Sequence, residues 1–346
     1  MKTIAAVLVE LGKPLEFAEL EIPRLKSGQV LVEIAYSGLC HTQVLECRGY
    51  RGEDKFLPHC LGHEGSGTVL ELGPGVSKVA VGQKTILSWM KGPGADVPST
   101  TYSWNGRSVN SGAITTFSHH AVISENRLTP LPEGVSMKQA ALLGCAVPTG
   151  FGSVFNAAGP AKGQSLAVFG LGGIGLCALQ AARIAGCAPL IAVDIKADRL
   201  ELARKLGATH VINAASEDPI TQILKLAPKG IDFAIESSGR PQAMAAALYC
   251  VRAQGGTAVV IGNARQGEML TIDPRQLNQG KRLLGTWGGD NKPERDFPRY
   301  ASLVAAGKVQ LEPLLEKSYS LEQANAAVDD LESGRAVRPV LAMGAA

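Results

Sequence analysis

The second half of this chain takes its fold from one stretch, Leu166-Ala167-Val168-Phe169-Gly170-Leu171-Gly172-Gly173-Ile174-Gly175. Four strand-forming residues run directly into the pattern G-x-G-x-x-G, and an apolar helical segment follows. Gly170 permits a tight turn, Gly172 lets backbone approach a pyrophosphate, and Gly175 allows close packing of helix on strand. The amino end of such a helix presents N–H groups and a positive dipole end to phosphate oxygens. The stretch therefore predicts a dinucleotide site that also includes Gly173 and Ile174.

From this stretch onward, strand and helix patterns alternate along the chain. Candidate strands lie at residues 166–169, 190–193, 210–212, 232–235, 257–261 and 282–284, and candidate helices at 173–185 and 197–206. Alternation of this kind predicts a parallel sheet with helices on both faces, and six strands are the number in a full Rossmann-type fold. We therefore predict an α/β nucleotide-binding domain over residues 149–287.

Asp194 closes the second of these strands, about twenty residues beyond the glycines, where a carboxylate accepts from the adenosine ribose hydroxyls. A 2′-phosphate at the same place would meet an ionised carboxylate. The sequence therefore favours NAD over NADP.

The first half has a different pattern, in which short β-rich runs alternate with glycine and proline turns. The clearest runs cover residues 30–34, 67–71 and 114–122. Near the end of the chain, Ser320 and Gln323 form a capping box for a helix over 321–331, and a strand over 337–341 follows. We expect this tail to return to the first half and to complete a mostly β domain of residues 1–148 and 288–346.

Composition excludes several classes of protein. Among 346 residues, 45% are hydrophobic, 19% are charged, and the net charge of +3 comes without the basic stripe that nucleic-acid binding requires. Charged residues and glycines interrupt every apolar run before the ~20 residues of a membrane span. The amino terminus has no signal-peptide pattern, so seven cysteines predict reduced thiols and a cytoplasmic location.

Three residues from distant segments form a candidate metal set: Cys40, His63 and Cys145. Each alone is more typical of core packing than of ligation. Together, two thiolates and one imidazole match a catalytic zinc site, whose fourth position is left for water or substrate. Cys60 is a rival ligand, because Cys60-x-x-His63 also has zinc-like spacing, although a buried thiol is the favoured interpretation.

These motifs resemble those of the zinc-dependent alcohol dehydrogenase branch of the medium-chain dehydrogenase/reductase family, along nearly the whole chain. Besides the glycine loop, Val193-Asp194 and Arg338-Pro339-Val340, the likeness is carried by Gly38–Thr42, Gly62–Gly67 and Gly144–Gly150. The resemblance implies a GroES-like catalytic domain beside the Rossmann domain. It also implies NAD(H)-dependent interconversion of a small-molecule primary or secondary alcohol and its aldehyde or ketone. The resemblance also implies a zinc ion, which would act as a Lewis acid.

The resemblance further implies individual roles. Cys40, His63 and Cys145 hold the catalytic zinc, and Glu64 enters its shell transiently. Thr42 hydrogen-bonds the substrate oxygen, and Trp89 forms a wall of the substrate pocket. His41 and Arg338 would contact the pyrophosphate of the cofactor. Thr149 would lie at its nicotinamide side, and Arg199 would contact its adenosine ribose.

The sequence departs from the family at three places. Residues 91–112 lack the four cysteines that hold a structural zinc in many relatives, so we predict one zinc per subunit. Tyr102 and Trp104 are the residues predicted to pack this segment in place of a structural zinc. We expect the protein to form a homodimer or a homotetramer. Gln43 stands where relatives commonly have an Asp that orients the ligand histidine, and Leu45 replaces a proton-relay histidine.

Two other functions remain open at this level. A metal-free quinone or enoyl reductase shares the nucleotide fold, and its chains normally lack the Cys/His set. A non-catalytic binding protein on the same fold would not need Thr42 or the three ligands. The identity of the alcohol is not encoded in any local motif.

Overall fold

The computed structural model describes residues 1–344, which form two compact units. The first comprises Met1–Cys145 together with the segment from Lys292 onward, and the second is Ala146–Asn291. The strands are β1 Lys2–Leu8, β2 Glu16–Glu21, β3 Gln29–Gly38, β4 His59–Cys60, β5 Glu64–Leu72, β6 Lys84–Ser88, β7 Thr101–Trp104, β8 Arg107–Asn110, β9 His120–Ser124, β10 Leu128–Pro130, β11 Leu166–Phe169, β12 Leu190–Asp194, β13 His210–Asn213, β14 Phe233–Glu236, β15 Thr257–Val260, β16 Arg282–Gly285, β17 Ser318–Ser320 and β18 Val340–Ala342. The helices are α1 His41–Cys47, α2 Met137–Leu142, α3 Ala146–Gly152, α4 Gly173–Ala185, α5 Ala197–Lys205, α6 Pro219–Leu226, α7 Pro241–Cys250, α8 Arg275–Asn278, α9 Pro293–Ala305 and α10 Ala324–Glu332.

The first unit contains a closed barrel, β1-β2-β7-β8-β4, and a second sheet in the order β10-β6-β5-β3-β18-β17, with β9 also paired to β3. Strand β3 separates two cores, which explains its nearly continuous apolar sequence. Val30, Val32 and Ile34 enter the larger core, whereas Leu31 packs with barrel residues on the other face. Pairing of β18 with β3 places the end of the described chain inside this unit.

The segment 91–112, which has no cysteine, is built around the β7–β8 hairpin. Tyr102 is buried in the barrel core, and its hydroxyl oxygen accepts from the Val122 N–H at 2.8 Å. Trp104 packs partly buried against the same core. The prediction that these aromatic residues pack the segment is confirmed.

The second unit has one six-stranded sheet in the order β13-β12-β11-β14-β15-β16, and every pairing in it is parallel. The predicted Rossmann-type topology is confirmed, with strand bounds shifted by at most one residue. Apolar residues of the central strands form its core, since parallel strands are covered on both faces.

The strands predicted over 30–34 and 67–71 are longer in the structure, as β3 and β5, and three other predicted elements have different bounds. The strand predicted over 114–122 begins only at His120, because Thr116 and Phe117 donate their N–H groups to the Leu61 carbonyl instead of a ladder. The helix predicted over 321–331 opens with a 3₁₀ turn before α10, although the Ser320 capping box is present. The strand predicted over 337–341 is limited to β18, since Pro339 has no N–H to donate.

Among residues 1–344, no helix combines the length and the apolar character needed to cross a membrane.

Candidate metal centre and nucleotide loop

Tertiary folding brings Cys40, His63 and Cys145 together. Their candidate ligand atoms all lie within 4.8 Å of one another, and this is the one such group of three among the described residues. Cys40 caps the amino end of α1, His63 directly precedes β5, and Cys145 follows α2. Gly144 allows this last approach, because a Cβ there would lie 2.1 Å from the Leu87 carbonyl oxygen.

The chemistry of this set fits a zinc ion. His63 Nε2 is buried, and the imidazole interacts with the neighbouring Cys40 sulfur. Hydrogen bonding from Cys145 lowers the pKa of the Cys40 thiol well below its usual value. The same contact raises the pKa of Cys145 well above its usual value. Two deprotonated sulfurs would neutralise the formal charge of a dication.

Glu64 and Arg338 form a buried ion pair beside this set. Both nitrogens Nε and Nη2 of Arg338 donate to Glu64 Oε1, at 2.9 and 2.5 Å. The Arg338 side chain is 3% exposed, and the Glu64 side chain is 0% exposed. Burial by itself lowers the pKa of Arg338, but Glu64 and the two cysteine ligands shift it upward overall. The contact of Arg338 with a pyrophosphate stays a prediction, and the contact that the structure shows is the one with Glu64.

Gln43 connects two of the ligand residues. It is the third residue of α1, where its Oε1 accepts from the Cys40 N–H at 2.9 Å. Its Nε2 lies 2.6 Å from Nδ1 of His63. The helix cap and the ligand histidine therefore share one amide side chain.

The other predicted residues of this unit, Thr42, His41 and Trp89, differ in how far they are buried. Thr42 Oγ1 lies 3.8 Å from Cys40 Sγ, and His41 is exposed at the start of α1. Trp89 packs partly buried against the larger core, and its backbone N–H donates to the His63 carbonyl at 3.0 Å. The substrate contacts of Thr42 and Trp89 stay predictions.

Cys60 does not join the metal set. Its thiol is buried in the barrel core, and burial raises its pKa to about 12. A neutral thiol in an apolar core is the interpretation that the sequence favoured. The remaining cysteines, Cys47, Cys177, Cys187 and Cys250, are also buried and free of disulfides.

A cavity of about 760 Å³ opens beside His63 and Gln43 within the first unit. Its wall includes two polar pairs that sequence reasoning missed. Asp54 Oδ2 lies 2.9 Å from His59 Nε2, and Arg51 Nη1 donates to Glu46 at 2.9 Å. The only sequence signal was the charged run Arg51–Lys55, which is typical of a solvated loop.

The glycine loop of the second unit has the predicted strand–turn–helix setting. Gly170 has a φ of 85°, and a Cβ on Gly175 would lie 1.9 Å from the Gly170 carbonyl oxygen. Gly172 caps α4, and a Cβ there would meet nothing within 4 Å, so its backbone is accessible. Gly173 and Ile174 open the helix.

Asp194, at the end of β12, is tied to this loop. Its Oδ2 accepts from the Leu171 N–H at 2.6 Å, and its Oδ1 accepts from the Lys196 N–H at 2.9 Å. Arg199 lies buried in α5, and Thr149 lies buried in α3 of the same unit. Their cofactor contacts stay predictions.

Glu236 is another residue that sequence reasoning missed. It closes β14 fully buried, and burial raises its pKa. Its Oε1 accepts from the N–H groups of Ser238 and Gly239, at 2.7 and 3.0 Å. Gly170 packs directly against Ser238, so this carboxylate positions the turn that supports the glycine loop. An acid ending an otherwise apolar strand was the available signal.

Comparison with known proteins defines the class. The alcohol dehydrogenase GroES-like domain matches residues 26–133, and the zinc-binding dehydrogenase family matches residues 173–306. An S-(hydroxymethyl)glutathione dehydrogenase from Synechocystis sp. is 34% identical over 368 residues, which cover 99% of this chain and 100% of the relative. The chain therefore belongs to the zinc-dependent alcohol dehydrogenase branch of the medium-chain dehydrogenase/reductase family, as its motifs predicted.

Solved structures agree with this assignment. A benzyl alcohol dehydrogenase from Acinetobacter calcoaceticus has a TM-score of 0.91 at 30% identity, covering 99% of this chain and 100% of its own. An alcohol dehydrogenase zinc-binding domain protein from Burkholderia ambifaria has a TM-score of 0.91 at 31% identity, and the match covers 100% of both chains. The fold class, a GroES-like domain with a Rossmann-type domain, is confirmed.

Proposed function

We propose that this protein oxidises a small primary or secondary alcohol with NAD, and reduces the corresponding aldehyde or ketone with NADH, at a single catalytic zinc. The observation that carries the proposal is the meeting of Cys40, His63 and Cys145 within 4.8 Å. The glycine loop, with Asp194 bound to its backbone, supports the nucleotide part. A metal-free reductase would have no need for two buried thiols against an available imidazole nitrogen.

The residues divide the chemistry among them. Cys40, His63 and Cys145 would hold the zinc, which supplies Lewis acidity toward an alcohol or carbonyl oxygen. Thr42, whose Oγ1 lies 3.8 Å from Cys40 Sγ, would hold the proton of the alcohol hydroxyl. Arg338, whose guanidinium donates two hydrogen bonds to Glu64, would orient that carboxylate behind the ligands. The hydride chemistry belongs to the nicotinamide.

The test is a screen of alcohols and aldehydes by NADH absorbance, run on protein of known zinc content. It should include S-(hydroxymethyl)glutathione and benzyl alcohol, after the names of the relatives, together with polar alcohols suited to the polar pairs of the cavity. We expect turnover that a chelator abolishes and zinc restores. Chelator-insensitive reduction of quinones or enoyl substrates by zinc-free protein would support the metal-free alternative. A failure of every substrate by zinc-loaded protein would support a binding protein.

Cofactor preference gives the first prediction. Changing Asp194 to Ala should raise the KM for NAD about tenfold, the equivalent of roughly 1.4 kcal/mol for lost hydrogen bonds to an ionised group. The preference over NADP should weaken as well, since the carboxylate that opposes a 2′-phosphate is gone. Initial rates with both cofactors measure the change. Glu201→Ala removes an exposed acid of α5 that pairs with Arg204, which has no predicted cofactor contact, and serves as the control. Equal use of NAD and NADP by the wild type would contradict the proposal.

We also propose a homodimer or homotetramer, supported by the second unit. Within the described part of the chain, strand β16 pairs with β15 only, and apolar side chains lie exposed on it and near it. Trp287 is 79% exposed and Leu284 is 41% exposed. An unpaired edge with exposed apolar groups is suited to pairing with another chain.

The free thiols of all seven cysteines support a reducing compartment, such as the cytoplasm.

The second prediction tests this edge. Leu284→Glu should shift the protein to a monomer, because a charge would be buried unpaired in the contact. Light scattering after size-exclusion chromatography measures the mass. Leu226→Glu, at a position of α6 with 43% exposure in the same unit, should leave the mass unchanged. An assembly unaffected by Leu284→Glu would place the contact elsewhere.

A further inference from the structure

The amide of Gln43 has two partners, and both belong to residues of the proposed metal centre, on which this inference rests. The Cys40 N–H donates to Oε1, and Nε2 faces Nδ1 of His63. Gln43 is 2% exposed, so these two contacts account for its position. The N–H of Cys40 is moreover a helix-cap donor that needs an acceptor.

The arrangement determines which ring nitrogen of His63 carries the proton. An amide has one accepting atom and one donating atom. With the oxygen on Cys40, the amide nitrogen of Gln43 donates, and Nδ1 of His63 must present its lone pair. A neutral imidazole has one N–H, which then resides on Nε2. That nitrogen is buried beside the two cysteine ligands, and it is the one left for a metal ion.

Metal binding requires the opposite tautomer. A ligand nitrogen offers its lone pair, so the single ring proton must move from Nε2 to Nδ1 when Nε2 binds the ion. The ring keeps one proton throughout. Cys40 N–H and His63 Nδ1–H are then both donors, and they face an amide with one oxygen. Turning the amide by 180° only exchanges which donor lacks an acceptor.

We propose that Gln43 is a positioning residue that opposes metal loading, because it stabilises the tautomer of His63 that cannot bind zinc through Nε2. Zinc uptake is therefore coupled to transfer of the ring proton and to loss of one of two buried hydrogen bonds. A carboxylate has an acceptor on each arm and would serve both donors at once. The consequence is a zinc affinity below what the three ligands alone would give, and easier release of the ion.

The experiment compares zinc affinity in wild type and Gln43→Glu by equilibrium competition with a chromophoric chelator. We expect about 10- to 100-fold tighter binding in Gln43→Glu, the range by which partners of ligand histidines alter affinity. The matched control is Gln323→Glu, which adds the same charge at another capping-box glutamine of the same unit. It should change affinity less than threefold. Equal or weaker binding by Gln43→Glu overturns the inference.

A spectroscopic measurement separates tautomer control from added negative charge. Nitrogen-15 spectra of the histidine rings in the metal-free, full-length protein should show His63, identified as the ring that responds to zinc, protonated at Nε2. Gln43→Glu should show it protonated at Nδ1. Protonation at Nδ1 in the metal-free wild type overturns the inference even if the variant does not fold. Zinc bound with equal affinity by both proteins rejects the role of Gln43 alone, whereas no zinc binding by either rejects the metal centre as well.

Discussion

Replacing Cys145 with alanine is expected to remove zinc from the protein and to lower kcat/KM about 1,000-fold or more, equivalent to roughly 4 kcal/mol of lost transition-state stabilisation. The variant leaves Cys40 and His63, and two ligands do not form the three-residue protein set of a catalytic zinc site. Elemental analysis should give near one zinc per chain for the wild type and a small fraction of that for the variant. Turnover of the best alcohol from the screen measures the kinetic effect.

Cys60→Ala is the matched control for this prediction. It removes a buried thiol of the same unit, only three residues from His63, yet Cys60 lies outside the metal set. Its zinc content and kcat/KM should stay close to those of the wild type, with a modest loss of stability from the smaller side chain. Zinc retained by Cys145→Ala and lost by Cys60→Ala would exchange the roles of the two cysteines and overturn the proposed site.

Replacing Arg338 with methionine is expected to destabilise the first unit by about 3–5 kcal/mol, because it leaves the carboxylate of Glu64 buried without its counter-ion. Neither side chain of the pair is appreciably exposed, so water cannot replace the guanidinium. Denaturant unfolding followed by far-UV circular dichroism measures the free energy of unfolding. The double variant Glu64→Gln with Arg338→Met should recover most of the loss, since neither charge of this pair remains.

Arg335→Met provides the comparison with an exposed pair. Arg335 donates to Asp330 at 2.7 Å, but its side chain is 60% exposed. Exposed ion pairs contribute less than about 1 kcal/mol, so this variant should unfold close to the wild type. A loss below 1 kcal/mol in Arg338→Met, or a double variant as unstable as the single one, would show that the buried pair is not the source of stability.

The sequence anticipated the second unit closely because its signals are local. The run Leu166–Gly175 contains the strand, the turn and the start of the helix within ten consecutive residues. The first unit was harder to predict. Thr116 and Phe117 have strand-forming side chains, yet their N–H groups donate to the Leu61 carbonyl, more than fifty positions away. A pattern of side chains cannot show which distant carbonyl will capture an N–H group.

Candidate ligands were likewise predicted from residue types and family motifs, but their meeting is a property of the folded chain. Cys60 and Cys145 are both plausible ligands by sequence, and Cys60 has the better spacing to His63. In the structure Cys60 points into the barrel core, while Gly144 lets Cys145 approach the metal set. The packing of Cys60 and the close backbone approach at Gly144 therefore decide which cysteine joins His63.

The sequence by itself determined the nucleotide loop, the six parallel strands, and a set of side chains able to bind zinc, because these depend on neighbouring residues or on residue type. Only the tertiary structure decided which sulfurs meet His63, that Arg338 neutralises Glu64, and that one amide serves both Cys40 and His63. Arg338 and Glu64 are 274 positions apart in the sequence, and Gln43 and His63 are 20 positions apart. Such contacts arise from the burial of polar groups that then require partners, a requirement that is satisfied in space and not along the chain.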